Sequence, residues 1–421
     1  MIRSQLTAAV VAALATLGAA AAQADEALLI RNATVHTGVI GAAPQAGTDV
    51  LVQSGKISAL GKGLVAPAGA RVVDAQGRPV TPGVFGGLTR IGLEEIGLDS
   101  ANGDHSQRLG QMRPEFDVSQ AWNPDAPSVV VHRMNGVTFT VLTPGSASGG
   151  SFVAGQGAPA SLVGREALAP RALFIDLGGD ANDLAGGSRA AQFMLLRQAI
   201  VEARAPNLVM VHDERLLSPS GRQVLLEFLK GGGQVVFDVD RAVDIRRAVE
   251  FAHQEKMQVV IRGGAEAWRV APELAAARVP VLIDPLDNLP SSFDAVGATM
   301  HNAARLHAAG VMVGISMRSA DIDDAGKTRQ AAGNAVAHGL PWAAGLAAIT
   351  RVPAEIFGVA DRFGTLAPGR PADLVLWSGD PLEVSSVADL VVADGQVQSG
   401  VSRHTLLRDR YLERVRRGAA R

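Results

Sequence analysis

The sequence predicts an α/β protein, a (β/α)8 TIM-type barrel with a small discontinuous β-sandwich domain built from both chain ends. The chain has 421 residues, enough for one large domain and one smaller one. Short apolar strands alternate with alanine-rich helical stretches over most of its length, which indicates parallel βα units. The two ends instead carry β-rich runs and turns, so we expect them to fold together.

The first 24 residues have the pattern of a secretory signal peptide. Arg3 supplies a positive charge, Leu6 to Ala22 is uncharged and apolar, and Ala22-Gln23-Ala24 is a small-x-small cleavage pattern. A membrane anchor is the alternative, but the apolar run is short for a span of about 20 residues. We therefore expect a secreted, periplasmic protein cleaved after Ala24.

Composition narrows the possible chemistry. The sequence has no cysteine, which excludes disulfides, thiolate ligands and a cysteine nucleophile. The net charge of −2 gives no overall signal for nucleic acid or an anionic membrane. We expect the partner to be a small-molecule ligand or substrate, and a homo-oligomer or a homologous partner subunit remains open.

The small domain is predicted from residues 25–81 together with 365–415. ALLIRNATVHTG, DVLVQSGKISALG and ARVVDAQGRPV are β-rich runs near the front, separated by Gly, Asn-Ala and Ser-Gly turns. ADLVLW and ADLVV repeat the pattern near the back. No helical periodicity interrupts the front segment.

The barrel is predicted over residues 82–364. Its first strand follows Pro82-Gly83, and later strands are predicted at Val137 to Leu142, Leu173 to Leu177, Gln234 to Asp240, Gln258 to Arg262, Pro280 to Asp284 and Val311 to Met317. Helical periodicity covers Ala190 to Ala205, Ala242 to Met257 and Phe293 to Ala309. About 280 residues in this rhythm suit a barrel. A doubly wound open sheet is the alternative, but no dinucleotide-binding glycine fingerprint supports it.

Three segments resemble the amidohydrolase superfamily, particularly its imidazolonepropionase-like and dihydroorotase-like branches. They are GKISALG with VVDAQGRPVTPGV at 55–84, FDVDRAVDIRRAVEFAHQEKMQVVIRGGAEAW at 237–268 and PAEIFGVADRFGTLAPGRPADLVLWSGDPL at 353–382. The resemblance implies one or two divalent metals, zinc for example, at the C-terminal mouth of the barrel. It also implies hydrolysis of a non-peptide C–N bond, in an amide or cyclic amide.

The family's metal-ligand positions carry other residues in this chain. The resemblance implies His-x-His in strand one, a His in each of strands five and six, and an Asp in strand eight; the matching positions here are Leu88, Arg90, Asp238, Arg262 and Met317. Leucine cannot coordinate a metal, and a protonated arginine repels one. We therefore predict a degenerate site with no metal cofactor.

His105 is the one histidine placed to act as an unconventional ligand. It lies in the loop after strand one, near Asp99 and Asp104. A lone loop histidine is more often solvated than metal-bound.

Charged residues at the strand ends form the candidate catalytic set: Asp238, Asp240, Arg262, Asp284, Arg90 and Arg318. Three arginines and three aspartates could satisfy one another where a metal would sit, because buried charges need partners. We hypothesise that an ion-pair network has replaced the metal centre. Ordinary rim charges in water are the alternative.

Two nearby features have two interpretations each. Glu266 in GGAEAW could serve as an acid or base, or it could cap a helix. The segment SASGGSFVAGQGAP at 146–159 could cradle an anion on its backbone N–H groups, or it could be a flexible entry loop.

Three functions remain open. In the first, the chain hydrolyses a C–N bond, with Asp238 or Asp240 as general base and Arg262 or Arg90 stabilising the oxyanion. In the second, it is a ligand-binding pseudoenzyme. In the third, it is a structural subunit of an active homologue.

Overall fold

Residues 27–95, 103–207 and 215–419 are described by a computed structural model. The predicted signal peptide lies outside them. Their strands are β1 (Leu28–Val35), β2 (Gln45–Gln53), β3 (Lys56–Gly61), β4 (Arg71–Asp74), β5 (Pro79–Pro82), β6 (Val84–Thr89), β7 (Val137–Leu142), β8 (Val153–Ser161), β9 (Ala172–Asp176), β10 (Gln234–Val239), β11 (Gln258–Gly263), β12 (Val281–Ile283), β13 (Val313–Ile315), β14 (Leu374–Trp377), β15 (Ala388–Ala393) and β16 (Gln396–Val397).

The α-helices of the described residues occur mostly between and after the barrel strands. They are α1 (Pro127–Met134), α2 (Arg189–Arg204), α3 (Pro219–Leu229), α4 (Ala242–Glu255), α5 (Ala271–Ala276), α6 (Asn302–Ala308), α7 (Thr328–Ala337), α8 (Trp342–Ala348), α9 (Arg351–Ile356) and α10 (Arg403–Ala419). None of the described helices is both long and apolar enough to cross a bilayer.

The larger sheet has eight strands, in chain order from β6 to β13. Its two edges approach each other, because the Leu88 N–H on β6 donates to the hydroxyl of Ser316, directly after β13, over 2.9 Å. Phe85, Leu88 and Phe139 are fully buried in one apolar cluster of this sheet. The nearly closed sheet confirms the predicted TIM-type barrel, and the predicted strands match β6, β7 and β9 to β13 within two residues.

The strand β8 was missed by the sequence interpretation. It pairs antiparallel with both β7 and β9, so no βα unit exists there. The proposed entry loop at 146–159 is therefore wrong for its second half: an irregular stretch extends to residue 152, and a fully buried strand begins at Val153. Counted in sheet order, β10, β11 and β13 are still the fifth, sixth and eighth strands.

The second sheet joins both ends of the chain, with strand order β16-β15-β14-β5-β1-β2-β3 and β4 against β1. Both chain ends thus contribute strands to a second sheet, as the fold prediction expected, although part of the predicted small-domain range 365–415 is helical. Residues 403–419 form the helix α10 instead. The predicted helix Phe293 to Ala309 was also too long, since α6 begins at Asn302.

Asp373 lies where the two sheets meet, just before β14. It is buried, and its carboxylate accepts a hydrogen bond from the Thr138 hydroxyl over 2.8 Å. Burial raises the pKa of Asp373 to about 7. Gly83 leaves room for this contact, because a Cβ there would stand 2.0 Å from the Thr138 hydroxyl oxygen.

Candidate functional site

Three ionisable side chains lie abreast at the C-terminal ends of neighbouring barrel strands. Asp176 on β9 is in register with Asp238 on β10, and Asp238 is in register with Arg262 on β11. Residues in register on adjacent parallel strands point to the same side, about 4.8 Å apart along the sheet. The geometry therefore forms a short charged row across three strands.

Arg262 is held from two directions. Its Nη1 lies 3.2 Å from Oδ2 of Asp238, and its Nη2 donates to the carbonyl oxygen of Arg318 over 2.8 Å. The Arg262 side chain is largely buried, with 12% of its surface exposed. The guanidinium therefore has a fixed position beside the Asp238 carboxylate.

Asp240 and Arg318 form a second, bidentate pair. Arg318 Nη1 donates to Asp240 Oδ1 over 2.8 Å, and Nη2 contacts Oδ2. The N–H of Ala265 also donates to Asp240 Oδ1, over 3.1 Å. Burial raises the pKa of Asp240, despite the opposing charge of Arg318. Burial alone would lower the pKa of Arg318, but the negative charges of Asp240 and Asp238 outweigh burial, so the pKa of Arg318 rises. Gly263 leaves space for the pair, since a Cβ there would stand 2.7 Å from Asp240 Oδ1.

Asp284 is near this pair but bonds to the backbone. Its Oδ1 accepts from the N–H of Leu286 over 3.0 Å, and its Oδ2 accepts from the N–H of Arg318 over 3.1 Å. Burial raises the pKa of Asp284. Asp284 thus holds the backbone at Leu286 and Arg318. The network hypothesis had counted Asp284 among the ion-paired carboxylates, but its oxygens bond to backbone N–H groups instead.

Arg90 has its own partner within its loop. Its Nη1 lies 3.7 Å from Oε1 of Glu94, and Nδ1 of His105 lies 2.6 Å from the same oxygen. Burial lowers the pKa of Arg90, and burial together with the charge of Arg90 lowers the pKa of His105 to about 4. The direct ion pairs of these residues are therefore Asp238 with Arg262, Asp240 with Arg318, and Arg90 with Glu94. The first two pairs are joined through the hydrogen bond from Arg262 to the Arg318 carbonyl oxygen, whereas Arg90 pairs with a residue that was not predicted.

Asp176 was missed by the sequence interpretation. Burial and the negative charge of Asp238 raise the pKa of Asp176 to about 6, against the opposing effects of Ser146, Arg262 and Arg90. The sequence did contain a signal for Asp176. The aspartate ends the strand LFID, just as Asp284 ends the strand VLID. A carboxyl group with this pKa can hold or release a proton near neutral pH.

A cleft of about 500 Å³ opens over these residues. Its lining includes Arg90, Asp176, Asp238, Arg262 and Arg318. Residues 144–149, which overlap the start of the predicted entry loop at 146–159, also line it. This volume is in the range of pockets that enclose small molecules.

Glu266 was interpreted either as an acid or base or as a helix cap, and the structure shows it as a helix cap. Its Oε2 accepts from the N–H of Ala242 at the start of α4 over 3.1 Å, and its Oε1 accepts from the N–H of Gly297 over 2.9 Å. Both oxygens are thus engaged by backbone, and the side chain is buried.

Comparisons with known proteins agree with this architecture. Residues 238–402 match the sequence model of the Amidohydrolase family. The solved structure of an amidohydrolase from Thermotoga maritima MSB8 superposes with a TM-score of 0.78 at 27% identity, over 88% of this chain and 99% of that one. The chain is a member of the amidohydrolase superfamily.

Other superfamily relatives are more distant or shorter matches. Amidohydrolase tasK from Hapsidospora irregularis is 24% identical over 88% of this chain, which spans only 43% of the length of tasK. A dihydroorotase from Geobacter sulfurreducens is 53% identical over 51 residues, 12% of each chain. A triazine hydrolase variant shares the fold, with a TM-score of 0.53 at 17% identity over 90% of this chain and 96% of that one.

The residues that the sequence resemblance places at the metal-ligand positions do not fit a divalent cation. Leu88 is fully buried among apolar side chains, and Met317 is also buried. Two further positions carry guanidinium groups, and the one carboxylate, Asp238, already contacts Arg262. Guanidinium groups present only N–H donors and a positive charge, so they oppose metal binding.

His105 does not assemble a replacement site with the described residues. Its nearest carboxylate is Glu94, which also faces Arg90, while Asp99 lies outside the described residues. Over residues 27–95, 103–207 and 215–419, no group of three or more His, Asp or Glu side chains has a metal-binding arrangement.

Proposed function

We propose that this amidohydrolase-superfamily protein hydrolyses a non-peptide C–N bond of a small molecule by acid–base chemistry, without a metal. The observation that carries the proposal is the register of Asp176, Asp238 and Arg262 on three adjacent strands under the cleft. Burial and the charge of Asp238 raise the pKa of Asp176 to about 6, so Asp176 can hold a proton beside Asp238 near neutral pH. Such a pair can activate water and also protonate a leaving group.

In the proposed reaction Asp238 acts as the base and Asp176 as the acid. Asp238 accepts a proton from water as the water oxygen attacks the carbonyl carbon of the amide. Asp176 then donates its proton to the nitrogen as the C–N bond breaks, which releases an amine and a carboxylic acid. Transfer of the captured proton from Asp238 to Asp176 restores the starting state.

Arg262 supports the developing negative charge. Its guanidinium is fixed beside Asp238 by two contacts, at 3.2 Å to Asp238 Oδ2 and 2.8 Å to the Arg318 carbonyl oxygen. A positioned cation stabilises a tetrahedral oxyanion without reorganising during the reaction. Arg90, which also lines the cleft, is a second cation available to the oxyanion or to a substrate carboxylate.

The test is hydrolysis of a panel of N-acyl amino acids and cyclic amides in the presence of a chelator. We expect activity that the chelator leaves unchanged and that falls by at least about 100-fold in Asp176→Asn and Asp238→Asn, the usual scale for losing a general acid or base. Asp183→Asn is the matched control, because Asp183 lines the same cleft but is exposed. Activity abolished by chelation and restored by zinc would contradict the proposal.

Ligand binding without chemistry is the second candidate function. It is favoured by the bidentate Asp240–Arg318 pair, which engages both oxygens of one predicted base. Calorimetry with the same compounds distinguishes the two, because a pseudoenzyme binds them unchanged and releases no amine.

We also propose that the protein is exported and cleaved after Ala24, on the strength of the N-terminal pattern. N-terminal sequencing of the mature protein from a native-like host tests it; retention of Met1 would contradict it. A role as a subunit of an active homologue stays a prediction, which co-purification would test.

A further inference from the structure

The helix α10 exposes an apolar stripe. Every side chain from Leu406 to Arg417 is exposed. Leu407, Tyr411 and Val415 follow at intervals of four, so they share one face, with 37%, 57% and 67% of their surfaces exposed. Helices of this length gain most of their stability from packing an apolar face. The stripe therefore indicates a surface that something else covers.

The charges of α10 are strongly unequal and ordered around the stripe. The helix carries six arginines (Arg403, Arg408, Arg410, Arg414, Arg416 and Arg417) and two acids (Asp409 and Glu413). At 3.6 residues per turn, Arg410, Arg414 and Arg417 fall along one flank of the stripe, while Glu413 falls on the opposite side. The chain's net charge of −2 conceals this local excess.

A second copy of α10 is a poor occupant. Two such helices would bring a large excess of arginine together at the interface, and like charges at that distance repel. The two acids are already engaged within their own helix, Asp409 with Arg408 at 2.8 Å and Glu413 with Arg417 at 3.4 Å. Two acids against six arginines leave each helix strongly positive in any case, so one copy cannot compensate the arginines of another.

We propose that α10 docks on an anionic phospholipid surface. The apolar stripe enters the boundary between headgroups and acyl chains, and the flanking arginines contact the lipid phosphates. Acids turned away from the stripe avoid the negative surface. The helix lies on the membrane and does not span it.

The test is co-sedimentation of the mature chain with vesicles of phosphatidylglycerol and phosphatidylcholine at 3:7. We expect binding at low salt that weakens at least about tenfold on phosphatidylcholine alone, and likewise in 0.5 M NaCl. The combined variant Arg410→Gln, Arg414→Gln, Arg417→Gln should lose binding to a similar extent. The matched control, Arg71→Gln, Arg165→Gln, Arg247→Gln, neutralises three exposed arginines elsewhere and should bind as the unaltered chain does.

Two further measurements complete the test. Leu407→Ser with Val415→Ser should also lose vesicle binding, with an unchanged melting temperature. The proposal would be overturned if the folded protein did not bind the anionic vesicles. It would also be overturned if a chain lacking residues 403–421 bound them as well as the full mature chain does. A dimer in sedimentation equilibrium that Leu407→Ser dissociates would assign the stripe to a second copy instead.

Discussion

Asp176 and Asp238 show how residue identity and register act together at the barrel mouth. Each is an ordinary strand-end aspartate in the sequence, and only the alignment of β9 with β10 makes them neighbours. The resulting repulsion, added to burial, raises the pKa of Asp176 to about 6. Asp176 thus carries a proton at a pH where an aspartate in water is ionised.

Arg262 should affect the pH at which Asp176 titrates. Its charge lowers the pKa of Asp176, so Arg262→Gln should move the Asp176 titration from about 6 to higher pH. Carbon-detected NMR of the labelled carboxyl group measures the shift without any need for substrate. Asp183→Asn should leave the titration in place, and an unmoved Asp176 in Arg262→Gln would contradict the assigned geometry.

Asp373 makes stability depend on pH. Its folded pKa of about 7 lies above the ordinary value of 3.8, so folding favours the protonated form. The stabilisation is complete below about pH 4 and is lost as pH rises to about 7, by about 4 kcal/mol at most. Asp373→Asn should remove this part of the slope, so the free energy of unfolding of the variant should rise relative to the unaltered chain from pH 5 to 7. Urea unfolding at several pH values in that range measures both free energies. If they change with pH in parallel for the variant and the unaltered chain, the prediction is wrong.

At the scale of elements, β8 explains where reasoning from sequence failed. Strands β6, β7 and β9 to β13 are apolar runs that pattern analysis detects. In β8, Gly155 and Gly157 break that pattern, so the segment resembles a loop. The glycines are there because neighbouring chains come close: a Cβ on Gly157 would stand 2.0 Å from the carbonyl oxygen of Leu142.

Gly157→Ala should therefore disrupt the β7–β8 pairing. The added methyl group meets backbone on β7, which cannot move without breaking the sheet, and overpacking of this kind costs about 1–3 kcal/mol. Chemical denaturation measures the loss. Gly61→Ala in the other sheet is the control, since its Cβ would meet only the end of Leu64 at 3.8 Å, and equal stability of both variants would count against this account.

The candidate site was partly predictable for a related reason. Strand ends follow from the hydrophobic pattern, and so the sequence located Asp238, Asp240, Arg262 and Arg318 at the mouth. Side-chain pairing does not follow from strand ends, because it depends on register and on nearby loops. Arg90 consequently faces Glu94, and Asp284 accepts hydrogen bonds from backbone N–H groups.

At the scale of the whole molecule, the second sheet and the barrel form a shared core. Trp377 on β14 is fully buried against the barrel's main apolar cluster, and its indole N–H donates to the Thr81 hydroxyl over 2.9 Å. Pattern analysis predicted the contribution of both chain ends to the second domain, because β-rich runs occur on each side of the barrel. It did not reveal α10, whose basic sequence resembles no strand or core helix.

Truncation should separate these contributions. A chain ending after residue 371 lacks β14 to β16, so β5 keeps β1 but loses its other partner strand, and the barrel loses Trp377. We expect this chain to aggregate or to lack a cooperative thermal transition. A chain ending after residue 402 lacks only the exposed α10 and should melt within a few degrees of the full chain. Calorimetry and circular dichroism compare the two truncated chains. A cooperative transition in the chain ending after residue 371 would contradict the prediction.

The pairing of β5 with β14 also has a temporal consequence. Val80 lies opposite Leu376 in the finished sheet, so almost 300 residues are synthesised between the two strands. Until then the β5 edge presents unpaired backbone N–H and C=O groups, which invite contact with other chains. We therefore expect the nascent protein to need a chaperone, or rapid completion of its last strands, during most of its synthesis.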